Sequence, residues 1–442
     1  MVLLYINKNN MTIYHKISSF FLLASISTIF IGKISILGPF KISDYLLIIS
    51  FLFFIIAVFK TKINVLGEIK YIRYIIISIL IILIGTISSL IIFRDISIFD
   101  ITKGYCHIIA NSIIFIEILI LSNNNKSFPK KILLCFLFSL LIIPFIYIPE
   151  INKYFLFGNY RFRGLFNDPN YFVNFQIIPT LLILFFIIKE NINKIIKVVL
   201  FIIFCVSVGL ILWSGSRSGL LGLIASFVSL IFLLIYSIPK KKILGIIFLI
   251  LISFPIGFYI IPKESHKNII ARTDKIQMVK TKVLSNIITE KTKIPTKIIR
   301  APIALIYRLT SGQDRLNIWK NSLFFIIKNP LGYGPGYNKI VNIKGDGFEH
   351  RATHNFELEL LLIGGIGLFI IINLFLLKIA IEALKNCYKQ KFNELHVLLP
   401  ILIGILVSGM FLDIFLFFLS WIIVALIIIY NRQIYNHKNK ES

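Results

Sequence analysis

The stretch Arg351-Ala-Thr-His-Asn-Phe-Glu-Leu-Glu-Leu-Leu-Leu-Ile-Gly-Gly-Ile-Gly-Leu368 decides how the chain reads. It sets His354-Asn355 where a long basic, polar segment gives way to an apolar run. A helix needs about 20 apolar residues to span a bilayer. His354 is therefore expected at the mouth of a membrane helix, wet enough to titrate and close enough to lipid to meet a lipid-borne substrate.

Outward from this stretch, apolar runs and basic connections alternate along the chain. Of its 442 residues, 57% are hydrophobic, and the mean hydropathy is +0.88. That composition describes an all-α polytopic membrane protein, not a large soluble domain. The pattern predicts twelve spans, near 17–37, 43–59, 73–93, 101–121, 132–149, 171–188, 195–213, 218–238, 243–262, 355–379, 396–411 and 414–431. The net charge of +27 resides mainly in the connections, where Lys and Arg orient helices in the bilayer, so nucleic acid is not an expected partner.

Basic clusters at Lys60–Arg73, Lys126–Lys131, Lys189–Lys197, Lys240–Lys242 and Lys385–Lys391 fall in every second connection. With an even number of spans they place both termini in the cytoplasm and the intervening connections outside. The first apolar run leads straight into another, which reads as an uncleaved first helix. None of the four cysteines is placed to staple an external loop.

The expected organisation is residues 1–150 for five N-terminal helices, 151–262 for four helices with outward arginines, 263–353 for a large, partly helical outer loop, and 354–442 for the last three helices and a cytoplasmic tail. In that loop Ile269, Ile276, Val279, Val283 and Ile287 recur at helical spacing among basic residues, as on an amphipathic surface helix. A second helix is predicted from about Arg315 to Lys328. It stops at Asn329-Pro330 before the irregular Gly332-Tyr-Gly-Pro-Gly336.

Four clusters on the outer side could carry chemistry. Arg161-Phe-Arg163-Gly-Leu-Phe-Asn-Asp-Pro-Asn170 holds two arginines beside a turn and helix cap supplied by Asn167 and Asp168. Trp213-Ser-Gly-Ser-Arg217-Ser-Gly219 sets an arginine at a sharp reversal, either snorkelling to lipid headgroups or, with Ser214, Ser216 and the following helix start, cradling an anion. Arg315 and Trp319 sit one turn apart, and Trp319 reads more readily as an interfacial anchor than as a stacking group. The glycines near 334 lack the Lys-Ser/Thr of a nucleotide loop. His350 and His354 share a four-residue spacing, but without a zincin's internal Glu or a third clear ligand no metal is expected. Glu357, one turn after His354, could orient its imidazole, and Glu359 implies a polar interior.

Taken in order, Arg163-Gly-Leu-Phe-Asn-Asp-Pro-Asn170, Ser216-Arg-Ser-Gly219, Arg315-x-x-x-Trp319, Asn329-Pro-Leu-Gly-Tyr-Gly334 and His354-Asn355 before a Gly-rich helix resemble the bacterial O-antigen ligase and polymerase family. The likeness covers about residues 155–430. It implies a GT-C-like membrane glycosyltransferase in the bacterial inner membrane. Such an enzyme takes a glycan from undecaprenyl diphosphate to a glycan or lipid A core acceptor, without metal, nucleotide or other cofactor, and has a chain-length regulator as a candidate partner. By motif position, Arg217 and Arg315 would hold the diphosphate, with Arg161 and Arg163 alongside. His354 would activate the acceptor hydroxyl, supported by Asn355, Glu357, Ser216 and Asn170. In one respect the chain departs from the family: residues 356–363 are one fewer than usual before the glycines, which rotates a helix by about 100°. Either Gly365 takes over the role or the helix packs differently.

These residue types suit that chemistry. An ordinary glycosidic bond needs paired carboxylates to cleave. A sugar diphosphate leaves more readily and needs charge neutralised on its oxygens, which bidentate arginines do well. The acceptor then wants one base of a type that titrates near neutral pH. A lipid-glycan flippase is the alternative of another class. Against it, apart from Glu117, Lys378 and Asp413 the predicted spans contain few charges, whereas transport paths usually carry ionisable groups at mid-depth. Ligase and polymerase share donor cradle and base. The short connection near 150–170, beside the single large loop, favours the ligase.

Overall fold

The computed structural model describes residues 13–28, 35–37, 40–61, 69–92, 98–138, 140, 156–157, 161–164, 166, 168–189, 192–261, 313–335, 337, 353–412 and 418–441. In lipid the backbone must satisfy its own hydrogen bonds, so the apolar runs become helices. They are α1 (Ile13–Thr28), α2 (Ile42–Thr61), α3 (Ile69–Ile92), α4 (Ile98–Asn124), α5 (Phe128–Leu137), α6 (Pro169–Ile188), α7 (Lys194–Trp213), α8 (Arg217–Leu234), α9 (Lys240–Ile260), α10 (Gln313–Lys328), α11 (Phe356–Lys389), α12 (Leu395–Gly409) and α13 (Phe418–Glu441). Two small antiparallel hairpins accompany them, β1 (Ser35–Leu37) with β2 (Phe40–Lys41) and β3 (Leu156–Phe157) with β4 (Arg161–Phe162).

Among the described residues eight helices are long and apolar enough to cross a membrane, and α12 and the 419–435 part of α13 are shorter apolar helices. The spans expected near 17–37 and 132–149 are represented by α1 and α5, of 16 and 10 residues. Asn167, His350, Asp413 and the amphipathic stretch 269–287 lie outside the described residues.

Helices α8 and α12 meet backbone to backbone: a Cβ on Gly222 would come 2.5 Å from the Gly404 carbonyl and 3.0 Å from Ser408 Cβ. Small residues permit this approach where lipid supplies no hydrophobic drive. At the N-terminal side, α4 is tied to α1 and α2 through Glu117, which is fully buried. Ser18 Oγ donates to its Oε1 at 2.7 Å, and Ser50 Oγ donates to the same oxygen.

The expected span 355–379 is not one helix. Helix α11 breaks at Gly364 (φ −132°, ψ 18°) and Gly365 (φ 65°, ψ −162°). Asn373 Nδ2 donates to Glu357 Oε2 at 2.9 Å. In a continuous helix residues 16 apart lie about 24 Å from each other, far beyond the reach of these side chains. The arms 356–363 and 366–389 therefore fold back alongside each other, and the second arm is the one long enough to span. The one-residue departure in spacing falls at this reversal, where Gly365 adopts a positive-φ conformation that favours glycine and the arms pack as a hairpin.

The reversal exposes backbone groups that a helix would satisfy, and the glycine segment after α10 takes them up. Tyr333 N–H donates to the Leu362 carbonyl (2.6 Å), Gly334 N–H to the Ile363 carbonyl (2.9 Å), and Ile366 N–H to the Pro330 carbonyl (3.0 Å). Helix α10 ends at Lys328, as the following Asn-Pro predicts. Asn329 Nδ2 then closes the turn on the Gly332 carbonyl at 2.7 Å. The wedge is anchored from α3, where Ser88 Oγ donates to Asn329 Oδ1 (3.2 Å) and Ser89 Oγ to the Tyr333 carbonyl (3.0 Å). Part of the predicted outer loop is thus a plug inside the bundle.

Candidate functional site

The start of α8 is a junction. Ser216 caps α8, its hydroxyl accepting from Gly219 N–H (3.2 Å) and donating to Asn170 Oδ1 (2.6 Å) in the first turn of α6. Asp168 caps α6 by accepting from Asn170 N–H at 2.7 Å, the cap the sequence predicts. Ser214 Oγ turns back to the Ile211 carbonyl at 2.6 Å and accepts from Ser216 N–H at 3.1 Å. Both serines of the expected anion cradle are therefore engaged in shaping the α7–α8 corner, and Arg217 stands half-buried at the first position of α8.

The short hairpin β3–β4 is laid on this corner. Arg161 Nε donates to the Ser214 carbonyl at 2.8 Å, and the Phe162 ring stacks on Trp213 with centroids 5.1 Å apart. Arg163 follows, half-buried, in the turn leading to α6. Arg161 thus holds the corner at its guanidinium Nε, while Arg163 and Arg217 flank it.

His354 enters from the other side. It has φ +49° and is the single non-glycine residue with positive φ among the described residues. That conformation costs an L-residue about 1–2 kcal/mol, and its neighbours hold it. Thr353 is fully buried, and its carbonyl accepts from the Trp319 indole N–H at 3.1 Å. Asn355 caps α11 through Leu358 N–H (3.0 Å), and its Nδ2 donates to the Met410 carbonyl at the end of α12 (3.1 Å). Trp319, read from the sequence as an interfacial anchor, gives its N–H to the residue before His354.

His354 precedes the Asn355 cap, outside the helix that carries Glu357. Glu357 Oε2 accepts from Asn373. Sequence reasoning missed Asn373, although a lone amide inside Phe369-Ile-Ile-Ile-Asn-Leu-Phe375 was a signal of a polar partner. Glu359 is buried. Tyr333, buried in the plug, donates from its hydroxyl to the Phe325 carbonyl at 2.8 Å, and burial pushes its phenol up to about 12.

Both halves meet the same end of α12. Gly222, five residues into the helix that Arg217 opens, backs onto Ser408, and Met410 accepts from Asn355. Arg217, Ser216, Asn170, Arg161 and His354 are thereby gathered at one end of the bundle. Arg315 lies in the first turn of α10, one turn before Trp319, and its side chain lies outside the described residues. The N-termini of α6, α8 and the first arm of α11 share this end, adding partial positive charge to that of the arginines. Two of the carboxylates at this end, Asp168 and Glu357, already accept hydrogen bonds. An anion beside a histidine is what this arrangement suits. At the opposite end, where Ser237 Oγ meets His396 Nε2 at 2.6 Å, lie Lys189, Lys194, Lys240, Lys241, Lys242 and Lys389.

Residues 199–373 match the family model described as O-antigen ligase. The matched segment takes in Ser216, Arg217, Arg315, Trp319, the glycine plug, His354 and the whole hairpin to Asn373. It begins after the Arg161–Asn170 stretch. No curated protein matches the chain.

Proposed function

We propose that this chain, which belongs to the O-antigen ligase and polymerase family through residues 199–373, is a ligase-type glycosyltransferase of surface polysaccharide biosynthesis. Its donor is a glycan on undecaprenyl diphosphate and its acceptor a hydroxyl on a lipid A core or another glycan. The observation that carries the reading is the setting of His354. It is held in a strained conformation by two anchored neighbours, one of which, Asn355, meets the end of α12 that also backs the Arg217 helix. Strained backbone conformations cluster at functional sites, and the setting of His354 supports the reading on that ground.

In the proposed reaction His354 accepts the proton of the acceptor hydroxyl, whose oxygen attacks the anomeric carbon of the donor. The bond from that carbon to the phosphate oxygen breaks, and the electron pair leaves with undecaprenyl diphosphate. Arg217 and Arg315, with Arg163 and Arg161 beside the corner, neutralise the leaving charge, which bidentate guanidinium does better than a point charge. In-line attack inverts the anomeric configuration, and no metal takes part. The lysines at the far end support an orientation with the site outside the bacterial inner membrane and both termini inside. A GT-C-like ancestry belongs to the same proposal.

The test supplies purified protein with undecaprenyl-diphosphate-linked repeat unit, with and without lipid A core. Transfer to core, lost in His354→Ala and weakened in Arg217→Lys and Arg315→Lys, is the expected result. A ladder of lengths without core turns the reading to the polymerase. Full turnover by His354→Ala removes the base assignment.

A further inference from the structure

Helix α10 carries Arg315 and, one turn later, Trp319. The Trp319 indole does two things at once. Its N–H donates to the Thr353 carbonyl at 3.1 Å, and its ring lies 6.2 Å from that of Phe411 at 33°. Phe411 follows Met410, whose carbonyl accepts from Asn355 Nδ2. Trp319 thus touches the anchor before His354 directly and reaches the anchor after it through Phe411 and Met410.

A peptide carbonyl fixed in direction restricts the ψ of its own residue and the φ of the next. Thr353 ψ and His354 φ are the angles concerned, and His354 φ is the strained one, at +49°. Thr353 is further restrained by its own hydroxyl, which donates to the Asn355 carbonyl at 3.2 Å and lies 3.4 Å from the Tyr337 hydroxyl. Relaxing His354 to negative φ would swing the Thr353–His354 peptide plane and break the indole bond. Trp319 is therefore placed to oppose that relaxation.

We infer that Trp319 is a positioning residue, holding the His354 backbone in its left-handed conformation so that the imidazole faces the acceptor. This rests on the proposed role of His354 as base. A group displaced by about 1 Å loses up to about 100-fold in rate, so the effect belongs in kcat.

Trp319→Phe keeps an aromatic ring against Phe411 and removes the N–H; Trp319→Ala removes both. Glycan transfer by full-length protein in detergent is followed with varied donor, together with thermal unfolding and the rate of His354 carbethoxylation read on its peptide. For Trp319→Phe the expected result is kcat about 10- to 100-fold lower, donor KM and unfolding temperature near wild type, and an altered His354 modification rate. A wild-type kcat in Trp319→Phe overturns the inference, as does a raised donor KM with kcat unchanged or an unaltered modification rate. A fall in unfolding temperature equal to that of Trp319→Ala also overturns it, because the role is then structural. If His354→Ala transfers at full rate, the base assignment itself fails. If His354→Ala is inactive while Trp319→Phe is normal, the positioning role alone fails.

Discussion

Glu357 Oε2 accepts from Asn373 Nδ2 at 2.9 Å, although 16 residues separate them along what the sequence presents as one apolar helix. Asn373 also donates to its own helix, at the Phe369 carbonyl (3.0 Å), so the clasp is oriented from the spanning arm. It closes the hairpin whose first arm begins beside His354.

A cross-link tests the hairpin directly. With Cys106, Cys135, Cys205 and Cys387 replaced by Ser, the pair Glu357→Cys and Asn373→Cys should be joined within one chain by a short bifunctional maleimide. A continuous helix would hold them about 24 Å apart, and no such product would form. Asn373→Leu alone should weaken folding by about 1 kcal/mol, the scale of an interhelical bond in a membrane, seen as a lower unfolding temperature.

Gly365 should not accept a side chain. Its φ is +65°, and a Cβ would run into the Pro330 carbonyl oxygen. With ψ at −162° this backbone conformation is essentially reserved for glycine and costs an alanine about 1–3 kcal/mol, and the clash is with backbone that cannot rotate away. Gly365→Ala should therefore sharply reduce the folded yield. Gly367→Ala meets only ordinary contact, with Ile81 at 3.4 Å, and should express and melt like wild type. Equal yields of the two variants would argue against the plug.

Glu117 joins three helices through one oxygen. Ser50 Oγ lies against Glu117 Oε1 and also 2.9 Å from the Ser18 carbonyl, yet a hydroxyl has one hydrogen to give. The single Ser50 hydrogen is therefore shared between the Glu117 carboxyl and the Ser18 carbonyl. Glu117→Gln, which keeps a donor and an acceptor, should unfold close to the wild-type temperature. Glu117→Leu should lose about 1–2 kcal/mol. Equal losses in the two would show that packing, not hydrogen bonding, dominates there.

Much of the architecture was open to reading before folding. Apolar runs of bilayer length have no choice but helix, and Asn329-Pro330 had to end α10. Asp168 before Pro169 had to cap α6. The residues able to carry charge at the site were legible as types, because Arg161, Arg163, Arg217 and Arg315 stand at connections where apolar sequence gives them no packing role. Their arrangement was less so. Ser216 read as half of an anion cradle and proved to be a cap shared with Asn170, since the identity of a hydroxyl does not say which neighbour claims its hydrogen.

By itself the sequence determined that this protein spans a membrane with helices and carries arginines and a histidine in its connections. Those follow from local chemistry, apolar length and the cost of unsatisfied backbone in lipid. Tertiary structure alone decided that α11 doubles back at Gly364-Gly365, that the glycine segment fills the gap, and that Trp319 and Asn355 hold His354 between them. Each depends on hydrogen bonds between residues distant in the chain, and the backbone groups that make them are the same in every residue, so side-chain identity cannot announce them.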